Sequence, residues 1–446
     1  MDSQNSNGAL ESAALSAKFP ASFLAFLHDN HIDPQIYDVF DRLPRYVRIL
    51  RNSKRSDGEL EGIVQRISAD AGCKVNPVAG IPGFLEIADS SVKLSQLHAY
   101  TSGDIVGMDV SSGIAALALS VAPGDNVLDI CCAPGAKLLL LAEMLNNDDM
   151  RATNELVSCV RAGTVTGVDI SAHRAATCRS LVKKHAGSDK AFIRLFLDDG
   201  TTFDRNAPQD RWWDPKSVKC SIIKSPTDTN SELHSKPLRR KRVVDGRPWF
   251  AARLLSSAYA CEGTELYDRV LVDAECTHDG SLAHIHKYNR WGWEQLDSCV
   301  INDNRSASVP LLQTKLLENG WRLLKPGGIL VYSTCSLSRY QNEYVIGGFL
   351  NRHPEDEACV ESAPLLESSS VAMSPIWKPK DDPEWASHNL ENQKHLFARM
   401  AHAFRLDPTV SNSSGMFVAR IRKLKHGSDL SAGTVRLVPL GASSIE

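Results

Sequence analysis

Val127-Leu128-Asp129-Ile130-Cys131-Cys132-Ala133-Pro134-Gly135-Ala136-Lys137 runs from an apolar strand-like stretch, through small residues, into the apolar helical pattern Leu138 to Leu145. A strand that ends in an acidic residue and turns through small residues into a helix leaves backbone N–H groups open to a ligand. The stretch therefore predicts one strand–turn–helix unit of an open α/β sheet, with a nucleotide-type site at its turn. Neither the GxGxxG of a dinucleotide binder nor the GxxxxGKS/T of a phosphate loop is present. Working outward, strand, turn and helix alternate from Tyr100 onward. Candidate strands are Asn126–Ile130, Thr164–Asp169, Ala191–Phe196, Arg269–Asp273 and Gly328–Ser333, a pattern that predicts an α/β fold with a doubly wound parallel sheet. The late run Gly415 to Ile421 suits a final edge strand.

Acidic residues recur at the ends of successive candidate strands. Asp169 closes Thr164–Asp169, where it could accept hydrogen bonds from both ribose hydroxyls, and Asp198-Asp199-Gly200 follows the next strand, suited to an adenine edge. Singly, each reads first as a turn or helix-cap residue. As an ordered series they fit an S-adenosylmethionine pocket best, with Cys131, Cys132, Ala133, Pro134, Gly135, Ala136, Lys137, Asp169, Asp199 and Asp273 as its candidate lining.

Two cysteines lie just past strand-like runs, in Val270-Leu271-Val272-Asp273-Ala274-Glu275-Cys276 and Ile329-Leu330-Val331-Tyr332-Ser333-Thr334-Cys335-Ser336. The carboxyl ends of neighbouring strands meet at the ligand crevice of such a sheet, so these loops can bring two thiols to one substrate. The other cysteines, Cys73, Cys159, Cys178, Cys220, Cys261, Cys299 and Cys359, read as inert packing, and Cys131 and Cys132 as packing residues of the cofactor loop. No CxxC pair occurs, so neither a zinc site nor a thioredoxin-type motif is predicted, and no metal.

Composition sets the class. With 446 residues, 43% hydrophobic and 23% charged, the chain is that of an ordinary globular protein of about two domains. No apolar run is long enough for a bilayer, and Met1 to Lys18 lacks the build of a secretory signal or a transit peptide. An intracellular, soluble, monomeric protein is expected, in nucleus or cytoplasm with the mitochondrion left open, and with no membrane partner. A net charge of -3 excludes a uniformly basic nucleic-acid coat, so any phosphate grip must be local. Candidates are Arg45 and Arg48, in a run read as a strand from Tyr46 to Leu50, and the cluster Lys236, Arg239, Arg240, Lys241 and Arg242, which reads first as a solvated loop insertion. The expected organisation is a loose tail over 1–18, a small α+β unit over 19–97, a catalytic domain over 98–424 with surface insertions near 206–246 and 354–392, and a tail over 425–446.

These residues carry a resemblance. The chain resembles the Sun/NSUN family of RNA cytosine-5 methyltransferases: that family's CAAPGGKT loop appears as Cys131 to Leu138, its DAPC motif as Asp273 to Cys276, and its STCS motif and following ENE as Ser333 to Ser336 and Gln341-Asn342-Glu343. Gly107 to Ser112, Phe404 to Pro408 and Gly415 to Phe417 resemble further motifs of the family, in order.

The resemblance implies a Rossmann-like methyltransferase sheet, S-adenosylmethionine as cofactor and RNA, transfer or ribosomal, as partner. It implies Cys335 as the nucleophile toward cytosine carbon 6, Cys276 as promoter of product release, Asp273 on the cytosine amino face and Lys137 beside cofactor and base. Departures from the pattern are Glu275 for proline, and Cys132, Ala136 and Leu138 in the cofactor loop. A rival reading is a non-catalytic RNA-binding or assembly protein of the same fold. His278 reads either as a proton shuttle or as a loop residue without chemical duty, and Trp291 and Trp293 as RNA-stacking or packing residues.

Overall fold

The computed structural model describes residues 18–50, 57–145, 160–161, 163–187, 192–208, 212–213, 249, 265–299, 303–376 and 390–425. The elements that matter, in chain order, are α1 (Ala21–Asp29), β1 (Arg45–Ile49), α2 (Asp57–Ala71), β2 (Val75–Pro77), β3 (Phe84–Ile87), β4 (Ile105–Gly107), α3 (Val110–Leu117), β5 (Asn126–Ile130), α4 (Ala136–Leu145), β6 (Thr164–Asp169), α5 (Ala172–His185) and β7 (Ile193–Leu197). They continue with β8 (Tyr267–Asp273), α6 (Asp303–Leu323), β9 (Leu324–Thr334), α7 (Glu343–Arg352), β10 (Ala358–Val360), β11 (Ser374–Pro375), α8 (Leu390–Arg399), β12 (Phe404–Leu406) and β13 (Met416–Lys423).

Among the described residues, nine strands form the main sheet in the order β11-β12-β13-β9-β8-β5-β6-β7, with β10 also on β13. The five strands from β9 to β7 are parallel. Their apolar side chains alternate between two cores, as period-two geometry requires. Val127, Leu271 and Val331 join α3, α4 and α5 on one face, while Leu128, Val270, Val272 and Leu330 join α6 and α7 on the other. Chain order reverses between β5 and β8, which places the topological switch point, and so the ligand crevice, between those two strands.

The fold class read from the sequence is therefore observed, with specific corrections. β13 is no edge strand: it pairs antiparallel with β9, β12 and β10. Buried on both faces, a short apolar run gives no sequence signal of its position in a sheet. The stretch expected as a surface insertion from 354 supplies β10 and β11 and buries Leu366, Val371 and Ile376, while its residues 377–389 lie outside the described set. The strand expected from Ala191 begins at Ile193. Residues 1–17, 426–446 and most of the 206–246 segment, including Lys236, Arg239, Arg240, Lys241 and Arg242, are outside the described residues.

The expected 19–97 unit is divided. Strands β2-β3-β1-β4 form an antiparallel sheet that extends to Gly107, with α2 packed on it through Ile63 and Ile67. α1 does not join that core. Phe19, Phe23, Leu27 and Tyr37 instead pack on Leu282, Ile285, Tyr288 and Leu296, the segment that follows Cys276. Among the described residues no helix is long and apolar enough to cross a membrane.

Arg48 cannot grip phosphate from this position. Its side chain is 2% exposed and pairs with Glu143 of α4, tying the small sheet to the main domain. Arg45, half-buried at the start of β1, is less enclosed. Losing a charge-assisted hydrogen bond of this kind typically costs about 1.5–3 kcal/mol. Arg48→Ala should therefore lower unfolding stability by that order in denaturant titration.

Candidate active site

Three loops converge at the switch point. The first leaves β5, with Cys131 in the left-handed region at φ 66° and Gly135 at φ 106°. A side chain at Gly135 would meet the Cys178 sulfur at 2.7 Å, so this turn requires glycine twice over. Ala136 takes no positive φ and opens α4, so the methyl group that replaces a glycine of the family motif costs the backbone nothing. Cys132 donates its N–H to Val168 O at 2.9 Å and is buried among the core side chains, a packing residue as expected.

Around this loop, Asp169 at the end of β6 accepts from Ala133 N at 3.2 Å and from Ser171 N at 2.9 Å. Arg174, which the sequence reading missed, donates to Ala133 O at 2.7 Å. Asp199 is half-buried and accepts from Thr201 N at 2.8 Å. Asp129 is fully buried, and neither carboxylate oxygen has a hydrogen-bond partner among the described residues. Burial, and next the charge of Asp273, hold its carboxyl well above the usual carboxylate range. A buried orphaned carboxylate beside an open-turned loop suits a ligand that brings its own positive charge and donors, and S-adenosylmethionine fits that description. Asp129 and Asp169 would face it, with the first-turn N–H groups of α4.

The second and third loops leave β8 and β9, which are neighbours in the sheet. Their cysteine sulfurs stand 3.3 Å apart, and His278 Nδ1 lies 2.9 Å from the Cys335 sulfur and 3.6 Å from that of Cys276. Cys335 and His278 line a cavity of about 160 Å³ together with Lys137, Asp273 and Glu275, whereas Cys276 is buried behind it. Lys137 Nζ bonds Asp273 Oδ2 at 2.8 Å, and Ser333 Oγ donates to Asp273 Oδ1 at 2.8 Å. Burial opposes the charge on Lys137, but Asp273, Cys335 and Asp129 outweigh it and its pKa is raised.

The two loops are locked to each other by buried polar groups. Asp279 accepts from Thr277 Oγ1, from Ser336 Oγ at 2.7 Å and from Leu337 N at 2.7 Å. Gln341 accepts from Thr277 N at 3.1 Å, and Thr334 Oγ1 donates to Asn342 Oδ1 at 2.6 Å. Gly280 donates to Cys335 O at 2.9 Å, with no room for a side chain, and accepts from Gly415 N at 2.8 Å. The QNE segment thus acts as a clamp on both thiol loops. Tyr37 donates to Asp279 O at 2.8 Å, extending the support to the N-terminal segment.

The thiols titrate as a pair. The hydrogen bond from its neighbour and the positive His278 make the first proton easier to lose, so Cys276 lies below the ordinary thiol range; the same hydrogen bond and burial hold Cys335 above it. His278 is pushed up to about 9, first by the negative charge on Cys276. His278 takes a left-handed φ of 57°, and its Nδ1 lies within reach of both sulfurs. The two sulfurs and Nδ1 lie within 4.8 Å of one another, a grouping of metal-ligand type assembled from two loops, which a search for CxxC spacing could not reveal. Among the remaining cysteines, Cys178 is buried as expected, but Cys359 is exposed on β10 and is no packing residue. Cys159, Cys220 and Cys261 are outside the described residues, as is the side chain of Cys299.

Known proteins similar to this chain include RNA methyltransferases. Residues 254–422 match the family described as 16S rRNA methyltransferase RsmB/F. The chain is 29% identical over 244 residues to the 5-cytosine rRNA methyltransferase NSUN4 of Bos taurus, covering 54% of this chain and 43% of the relative. It is 27% identical over 312 residues to ribosomal RNA small subunit methyltransferase B of Xylella fastidiosa, covering 68% and 50%. The chain thus spans about half the length of the curated relatives it matches. A methyltransferase homologue of Pyrococcus horikoshii shares the fold at a TM-score of 0.53, with 21% identity and coverage of 87% of this chain and 89% of the other. With its motifs in order on this sheet and its thiol loops paired at the switch point, the chain is similar to the Sun/NSUN family, whose RsmB/F model matches residues 254–422.

Proposed function

We propose that this protein methylates carbon 5 of a cytosine in RNA, with S-adenosylmethionine as methyl donor and ribosomal RNA, the substrate class named for the relatives, as the favoured target. The observation that carries the reading is the pair of sulfurs 3.3 Å apart, Cys335 facing the cavity and Cys276 behind it, beside the Lys137–Asp273 pair. Carbon 5 of cytosine is a weak nucleophile, and a thiolate added at carbon 6 makes it an enamine that attacks an electrophilic methyl group. The bound cofactor supplies that methyl group as its sulfonium.

The thiol pair with protonated His278 is one proton short, and the remaining proton can sit on either sulfur. With it on Cys276, Cys335 is the thiolate and attacks carbon 6. Asp273 takes the cytosine amino face while Lys137 keeps its carboxylate oriented. After methyl transfer the carbon 5 proton is lost to solvent, the carbon 6–sulfur bond breaks, and the Cys276 S–H donates to the departing Cys335 thiolate.

Bisulfite sequencing of total RNA with and without the gene tests the function: loss of one reproducible 5-methylcytosine is expected. Intact cofactor and RNA binding without any methyl transfer would favour the non-catalytic reading instead.

Cys335→Ala should give neither product nor a covalent RNA adduct, whereas Cys276→Ala should trap the protein on methylated RNA as a slowly migrating species on a denaturing gel. The opposite pattern would exchange the two roles. Asp169→Ala should weaken S-adenosylmethionine binding by about 1–3 kcal/mol in calorimetry, the scale of leaving buried polar groups unmatched.

His278→Ala removes the cation that stabilises the first thiolate. In the wild type the imidazolium persists up to about pH 9, so the thiolate form is present well below that pH. The variant should show its midpoint for iodoacetamide alkylation moved up toward the ordinary thiol value of about 8.5, with slower alkylation at pH 7. An unmoved midpoint would remove His278 from the thiol chemistry.

A further inference from the structure

The segment after the second loop forms two short helices, Leu282–Ile285 and Tyr288–Trp291. Their inner side is fixed: Tyr288 is buried, and its ring lies at 29° to that of Trp293, 6.1 Å away. Trp293 in turn meets Phe19 and Phe23, each at 5.6 Å. Trp293 is therefore a packing residue, whereas Trp291, two positions away, is 52% exposed, a large indole turned outward on a firm base. It stands edge-on to Tyr288 at 5.9 Å and 89° and to His284 at 6.4 Å and 84°, which fixes its orientation. Lys287 Nζ lies 5.6 Å from its ring centroid, and both Lys287 and Arg290 are exposed.

This indole is joined to the reactive cavity by rings. His284 lies 5.1 Å from His278, whose Nδ1 is 2.9 Å from the Cys335 sulfur. Burial, then His278 and Lys287, lower His284 to about 4, so it is a neutral ring in this path, and the outer positive charge belongs to Lys287 and Arg290. An exposed, oriented aromatic face with two cations, linked through the His284 and His278 rings to a cavity that holds a reactive thiol, matches what single-stranded nucleic acid needs. A base stacks on the ring and neighbouring phosphates meet the cations.

We propose that Trp291 is the stacking platform for an unpaired base flanking the target cytosine, with Lys287 and Arg290 on the adjoining phosphates. The assignment rests on the RNA-methyltransferase reading of the cavity and adds a substrate requirement to it, that the strand beside the target be unpaired.

The test measures equilibrium binding of a short fluorescein-labelled single-stranded RNA of mixed sequence, and of the same strand in a duplex, to the full chain. Trp291→Ala should weaken single-strand binding about tenfold, within the range of one lost base–aromatic stack, and Trp291→Phe should restore most of it. KM for RNA should rise with kcat little changed, while S-adenosylmethionine affinity stays at the wild-type value. Neutralising Lys287 and Arg290 together should reduce the salt slope on the single strand by about 1.4. Wild-type binding by Trp291→Ala, or an equal loss on single strand and duplex, would overturn the platform alone. Failure of the wild-type chain to bind either RNA would overturn the platform together with the RNA reading.

Discussion

The site depends on one constraint: β5, β8 and β9 are parallel neighbours, so their carboxyl ends open on the same edge of the sheet. Each strand contributes one chemical element where it ends. β5 brings the cofactor-type loop and Lys137, β8 brings Asp273 and Cys276, and β9 brings Ser333 and Cys335. The Lys137–Asp273 bond crosses the switch point itself, and the contact between the sulfurs crosses the adjacent strand pair. Reordering any of the three strands would separate these groups by at least one strand spacing of about 4.8 Å, beyond the reach of a hydrogen bond.

Parallel pairing brings the loops near one another, but buried polar groups set their register. Asp279 receives bonds from both thiol loops, and Gln341 and Asn342 reach back to the same two segments. Each member of this network is buried, so losing one partner leaves another unsatisfied in a medium of low dielectric. The thiols are therefore held at hydrogen-bonding distance by groups that never face the cavity.

The sequence exposed the local part of this arrangement. The strand and turn periods of Asn126–Ile130 and Thr164–Asp169 place those elements to the residue, because apolar runs bounded by acidic and small residues have sharp ends. Neighbour order is another matter. Nothing local distinguishes β13 as an interior strand from an edge strand, and nothing local shows that Arg48 meets Glu143, 95 positions along the chain. His278 stayed ambiguous for the same reason: its significance lies in its distance to Cys335, fixed by a different strand. Trp291 and Trp293 are nearly adjacent in sequence, yet one is exposed and the other packed among aromatics from the N-terminal segment.

The bond between Gly415 and Gly280, and the pairing of β13 with β9, also bear on how the protein is made. During vectorial synthesis Cys276 and Cys335 emerge long before residues 415–423, the stretch that braces their loops. Non-local pairings of this kind close late, after the loop entropy between distant segments has been overcome. A growing chain therefore carries two ordinary thiols, and the coupled pair beside His278 comes into being only when nearly the whole described sequence has left the ribosome.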